Sequence, residues 1–178
     1  VTLDPTLVSN DFVDGGADVL ISGIDTTEAL TVAGQRTAAG ETVWAVPYDY
    51  VGACDGAPEV CLGTPWFNWG PSYLGIAQSV LDGDFEATFQ WLGPDWDDMN
   101  NRDTTAIGYV KGPGLSSDDE AILDEFMSGL ADGSINLWEG PLVYQDGTEW
   151  VPAGQTATPV QIWYTKQLLQ GIDGASES

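Results

Sequence analysis

Three features of the chain predict an α/β fold, a parallel sheet flanked by helices. Helix and strand signals alternate through about the first forty-five residues, the strand-like runs are short and continuously apolar, and an aromatic stretch leads from one such run straight into a helix. At 178 residues with 43% apolar and 11% aromatic side chains, the chain can bury a substantial core, as one ordinary domain or as two small lobes sharing strands.

The first element is a short helix. Asp4 is placed as its N-cap and Pro5 at its first position, Leu7, Val8 and Phe12 recur on one face, and Gly15-Gly16 end it. Ala17 to Gly23 is an apolar, partly β-branched run of the kind that forms a buried parallel strand. Asp25 and Glu28 have the N-cap and N3 spacing of a capping box. The helix they open buries Ala29, Leu30, Val32 and Ala33, and Gly34 to Gly40 unwinds it. Thr42 to Asp49 is the next strand, with pairing expected to stop near Pro47. In open parallel sheets ligands bind beyond the carboxyl ends of the strands. Those ends are Ser22 to Thr26, Asp49 with Tyr50, and Thr64 to Trp69 after the run Val60-Cys61-Leu62-Gly63.

Gly63 to Tyr73 is the hinge of the chain. Trp66, Phe67 and Trp69 put three rings within four residues, which must either bury or bind, and Pro71 suits the first turn of a helix running to Asp82, stopped by Gly83. The stripe Tyr73, Leu74, Ile76, Ala77, Val80 and Leu81 marks that helix as packed core. Phe85 to Leu92 and Thr105 to Val110 are expected strands, separated by a polar loop. The loop's acids Asp95, Asp97, Asp98 and Asp103 only superficially resemble a calcium loop: Asn100 replaces the glycine and Ala106 the bidentate acid, so a solvated acidic loop is expected and no metal site. Ser117 and Glu120 form a second capping box ahead of Ile122, Leu123, Phe126, Met127 and Leu130. Short strands follow at Ile135 to Trp138, Leu142 to Tyr144 and Glu149 to Val151, with a hairpin turn at Gln145-Asp146-Gly147-Thr148. A last helix over Val160 to Gln170 leads into a small polar tail, Gly171 to Ser178.

Charge and composition exclude whole classes of function. The formal charge of −24, from 28 acids against Arg36, Arg102, Lys111 and Lys166, argues against nucleic acid or anionic membrane as partner and fits a saline habitat, where salt screens the self-repulsion. With no histidine, Ser-His-Asp and Cys-His catalysis and His-containing zinc sites are ruled out. Cys54 and Cys61 flank a turn-rich hexapeptide; a local disulfide, implying an oxidising compartment, is the preferred reading, and two small buried thiols the alternative. No signal peptide and no apolar run of membrane-spanning length is recognisable, so the chain is expected to begin within a mature protein.

Motifs in order along the chain carry a family resemblance. They are Asp4-Pro5, Gly16 to Leu20 followed by Asp25-Thr26-Thr27, Val46-Pro47-Tyr48-Asp49, Asn68-Trp69-Gly70-Pro71-Ser72-Tyr73 and Val80 to Gly83. Later come Tyr109-Val110-Lys111, Asp132-Gly133-Ser134, Glu139 to Leu142 and Gln145 to Thr148. In these the chain resembles the basic membrane protein family of substrate-binding lipoproteins that serve ABC importers for purine nucleosides and bases. The resemblance implies a non-catalytic, extracytoplasmic binding protein without a cofactor. It also implies a membrane permease as partner, a lipid anchor on the full-length protein, and a ligand cleft between two Rossmann-like lobes. The chain aligns with the C-terminal half: residues 1–65 within the second lobe, 66–112 crossing back toward a largely missing first lobe, and 113–178 completing the lobes.

For a purine, Trp69 is the first choice of stacking ring, in the family's Asn68-Trp69 pattern, and Trp66 the reserve; Trp66 and Phe67 read better as core beneath the hinge. Asp49 can accept two ribose hydroxyls or cap a turn, Asp25 and Thr26 combine an N-cap role with a ligand role, and Lys111 either donates to the ligand or neutralises nearby acids. A single lysine in so negative a field disfavours phosphate and favours a neutral purine. Two alternatives are an extracellular carbohydrate-active enzyme, which would use exposed Trp with paired acids, and a fragment with no binding activity of its own.

Overall fold

A computed structural model describes residues 3–175, so Ser176 to Ser178 of the expected tail lie outside the described residues. The chain divides into two compact units, Val1–Leu123 and Asp124–Ser178.

The first unit opens with α1 (Pro5–Asp14), β1 (Val19–Ile21), α2 (Glu28–Ala38) and β2 (Trp44–Val46). Asp4 caps α1 as its sequence suggests, its carboxylate accepting from Thr6 N–H at 2.8 Å. The buried positions of α1 are Ser9 and Val13, however, while Leu7 and Phe12 are exposed, so the apolar face read from the sequence is not the one that packs. The capping box at Asp25 does not form either. α2 begins at Glu28 behind Thr27, which makes no side-chain cap bond, and Asp25 lies in the exposed turn before it. Gly34 stays inside α2, where a β-carbon would meet that of Ala57 at 3.1 Å: the glycine admits a neighbouring loop and does not end the helix.

Strands β1 and β2 pair in parallel, Val19 with Trp44 through Ile21 with Val46, so the predicted parallel sense is present but only three residues long on each strand. Residues 53–60 form two turns of 3-10 helix, so of the expected run Val60 to Gly63 only Gly63 belongs to a strand. Cys61 makes a parallel bridge to Ala45, and β3 (Gly63–Phe67) then pairs antiparallel with β4 (Ile107–Lys111), Phe67 opposite Ile107 and Gly63 opposite Lys111. Helices and strands are therefore mixed as expected, but among the described residues the sheets are two-stranded and one of the three strand pairs is parallel.

The core is Leu30, Val32 and Ala33 of α2 against Leu20, Val43, Ala45, Val60 and Cys61. Burying side chains such as Leu30, Val32 and Val60, each 1% exposed, stabilises the unit by about 1.5–3 kcal/mol apiece. The Cys54–Cys61 disulfide is formed, closing its loop onto this core, as the spacing suggested.

Past the hinge the packing changes. Helix α3 (Trp69–Asp82) ends before Gly83 as expected, but none of its residues is buried, so it is not the core helix its stripe implied. Phe85 to Leu92 is irregular and exposed and forms no strand.

The division between the units falls inside α4 (Ser117–Asp132). The cap of α4 is Ser116, one residue before the predicted box; its hydroxyl accepts from Asp119 N–H at 3.2 Å. In the second unit Ile135 to Trp138 is irregular, and β5 (Leu142–Val143) and β6 (Glu149–Val151) form the predicted hairpin, Thr148 N–H bonding Asp146 Oδ1 at 2.8 Å in its turn. Tyr144 stacks on Trp150 at 5.6 Å, and Trp150 meets Trp138 edge-on at 6.2 Å. Helix α5 (Pro159–Trp163) has a complete capping box from Thr158 and Gln161 but runs only five residues, shorter than predicted. Among the described residues no helix is long and apolar enough to cross a membrane.

Candidate ligand site

The carboxyl ends of β1, β2 and β3 lie at one edge of the first unit. Ser22 N–H bonds Val46 C=O at 3.0 Å, continuing the β1–β2 ladder, and Asp49 N–H bonds Pro65 C=O at 3.1 Å, tying the end of β2 to β3. Asp49 takes a left-handed backbone conformation, φ 83°, uncommon for any residue but glycine and here the single such non-glycine position among the described residues. Strain of this kind costs about 1–3 kcal/mol and tends to collect at functional positions.

From this edge a run of aromatic rings leads outward. Tyr48 meets Phe67 edge-on at 5.6 Å, Phe67 lies 5.9 Å from Trp69, and Trp69 stacks on Tyr73 at 5.8 Å with 29° between the planes. Trp69 and Tyr73 are 59% and 61% exposed, so their faces are available to a ligand. Their pairing follows from local geometry: Trp69 opens α3, and residues four apart on a helix share a face. A cavity of about 340 Å³ adjoins these rings, lined by Asn68, Trp69 and Tyr73 on one side and by Gln90 and Trp91 among others. That volume is within the ordinary range for a small-molecule site, and the wall is of the usual kind, mostly aromatic and aliphatic with two amides. A larger cleft of about 500 Å³ runs between α1 and β1 up to Ile24, but its lining is almost wholly apolar.

The sequence-predicted residues divide around this cavity. Asn68 and Trp69 line it. Trp66 lies behind it, 4% exposed, with its indole N–H donating to Asn100 Oδ1 at 3.0 Å and the Arg102 guanidinium 5.4 Å from its ring centre. Gly108 makes this possible, since a β-carbon there would stand 2.2 Å from the indole. Trp66 is thus a core residue and Trp69 the exposed ring. Asp49 is held at the strand ends, while Asp25 and Thr26 are exposed in the turn after β1, and none of the three lines the cavity. Lys111 stands opposite Gly63, at the other end of the β3–β4 pair from Phe67, with its ammonium 2.8 Å from Glu120. That ion pair matches the neutralising reading.

Asn68 also holds the acidic loop in place. Its amide nitrogen donates to the carbonyls of Arg102 at 2.7 Å and Thr105 at 2.8 Å. Within the loop, the Thr104 hydroxyl and the Asp97 N–H both donate to Asp95 and hold its carboxyl below the usual carboxylate range. Its oxygens are occupied by the loop's own donors.

Residue-by-residue reading missed Tyr73, Tyr48 and Gln90. The i, i+4 spacing of Trp69 and Tyr73 was a usable signal, and so was the position of Tyr48 beside Asp49. Gln90 had none, because it was assigned to a strand that does not form.

No family model matches the chain. It is similar to a purine-binding protein of Brucella abortus (strain 2308), 27% identical over 161 residues that cover 90% of this chain and 42% of that protein. The chain therefore spans less than half the length of the curated relative it matches. Among solved structures it is similar to an ABC transporter system solute-binding protein from Conexibacter woesei DSM 14684, with a TM-score of 0.43 and 21% identity over 74% of this chain and 41% of that one.

Proposed function

We propose that the chain is part of an extracytoplasmic substrate-binding component of an ABC importer, and that it binds a neutral purine base or nucleoside at the Trp69–Tyr73 stack. The observation that carries the proposal is the exposed stack itself, beside a cavity lined by amides and without a charged side chain. A flat uncharged heterocycle suits that wall; a phosphate does not, in a chain of net charge −24. The similarity to a purine-binding protein supports the choice of purine, and the disulfide supports an oxidising compartment.

In this reading Asp49 accepts ribose hydroxyls at the strand ends, and Asp25 and Thr26 contribute from the β1 turn when the whole protein closes on its ligand. The membrane permease and a lipid anchor belong to the whole protein. The exposed apolar face of α3, with Leu74 74% and Leu81 81% exposed, is where further protein packs. The acidic surface suits a saline habitat.

Isothermal titration of the chain with adenosine, guanosine, inosine and adenine in high salt tests the proposal. Saturable binding is expected, weakened by about 1–3 kcal/mol in Trp69→Ala, the value of one base stack. Absence of binding by a chain shown folded by near-ultraviolet circular dichroism would count against a purine site in these residues.

A further inference from the structure

Resting on the purine reading above, we infer that Asn68 is a fixed hydrogen-bond acceptor that selects purines with an amine at C6 over those with a carbonyl at C6. An asparagine side chain usually can present either its oxygen or its nitrogen to a ligand by rotating half a turn. Asn68 cannot. The two groups it holds, at 2.7 and 2.8 Å, are both backbone carbonyls, those of Arg102 and Thr105. Only the amide nitrogen can donate to them, so the orientation of the side chain is dictated by its partners, and turning it over would set its oxygen against two carbonyl oxygens. Both N–H groups are thereby spent. What Asn68 retains is Oδ1, which takes no hydrogen bond among the described residues.

Asn68 precedes Trp69 and lines the cavity with it, and the neighbour on the helix side is Gly70, where a β-carbon would lie 3.6 Å from Asn68 Oδ1. The other amide of the wall, Gln90, makes no side-chain hydrogen bond among the described residues and can turn to suit either polarity of ligand edge. One fixed acceptor and one adjustable amide discriminate in a defined way. A ring stacked on Trp69 with an amine at C6 reaches Oδ1 with a donor; a carbonyl at C6 meets it oxygen to oxygen; a methyl at C6 leaves it unpaired. The amine also survives in a nucleoside, whose N9 is substituted, so the preference extends to both ligand forms.

The test is titration calorimetry of the chain with adenine, hypoxanthine and 6-methylpurine, repeated on Gln90→Leu. Adenine is expected to bind at least about tenfold tighter than either of the others, the scale of one unpaired acceptor. Gln90→Leu is expected to weaken every ligand it binds while keeping the ratio. Hypoxanthine or 6-methylpurine binding within about threefold of adenine would overturn the role of Asn68 and leave the purine site standing. Loss of the preference in Gln90→Leu would assign it to Gln90 and overturn it likewise. If none of the three bound, the purine reading itself would fall, and this inference with it.

Discussion

Helices α2 and α3 lie in the same unit, each just after a strand, and each carries an apolar stripe, yet one is core and the other is surface. In α2, Leu30, Val32 and Ala33 are almost completely buried; in α3, Tyr73, Leu74, Val80 and Leu81 are 57–81% exposed. The difference is not one of local helix signals, since both helices form. Periodicity states that a helix has a face to bury, and the partner for that face must come from somewhere else. For α2 it comes from β1, β2 and the disulfide-closed turn; for α3 no such surface is supplied among the described residues, and the run Phe85 to Leu92 that follows it is irregular and exposed.

The contrast can be broken most directly by truncating one residue on each helix. Leu30→Ala is expected to cost about 2–5 kcal/mol in urea denaturation, and Leu81→Ala less than about 0.5 kcal/mol. Comparable losses from the two would show that the α3 face is packed after all. Next in size is the disulfide. Replacing Cys54 and Cys61 together by Ala is expected to lower stability by about 2–4 kcal/mol and to leave Trp69 accessible to quenchers, because that ring is already exposed.

A smaller effect sharpens the boundary between the two regions. Asn68→Ala leaves the carbonyls of Arg102 and Thr105 without a donor, for an expected loss of about 1–3 kcal/mol. Trp69→Ala, one residue on, should leave the unfolding midpoint nearly unchanged, since the ring is 59% exposed. A midpoint that fell equally in both would mean that Trp69 is structural.

The smallest effect is one of pH. The Thr104 hydroxyl and the Asp97 N–H depress the Asp95 pKa in the folded state. A depressed carboxyl contributes stability at pH values above its unfolded pKa, about 3.9, and loses that contribution as pH falls through the folded value. Thr104→Val should therefore move the Asp95 titration, followed by NMR, upward toward the ordinary range. No movement would show that the loop's internal hydrogen bonds are not formed in solution.

The candidate site was half legible for the same reason that separates the helices. Trp69 was the first choice for a stacking ring by its place in the Asn68-Trp69 pattern of the family the chain resembles, and its exposure in the structure agrees with that choice. Trp66, three residues earlier and chemically identical, is buried by what reaches it across the fold: Asn100 at its indole N–H, Arg102 over its ring, and Gly108 making room. Asp25 shows the reverse failure. It has the spacing of a cap, but the chain turns through Ser22 to Thr27 before α2 starts, and Thr27 takes the cap position without a side-chain bond.

The sequence alone determined the features that depend on neighbours along the chain: helix and strand alternation, the cap at Asp4, the hairpin turn at Asp146-Gly147, and the pairing of Cys54 with Cys61. Each is governed by interactions spanning only a few residues. Which apolar face is buried and whether a run such as Phe85 to Leu92 becomes a strand were decided only in the tertiary structure. Burial and strand pairing require surfaces brought together from distant parts of a chain, and a local pattern records the demand for such a surface without recording its supply.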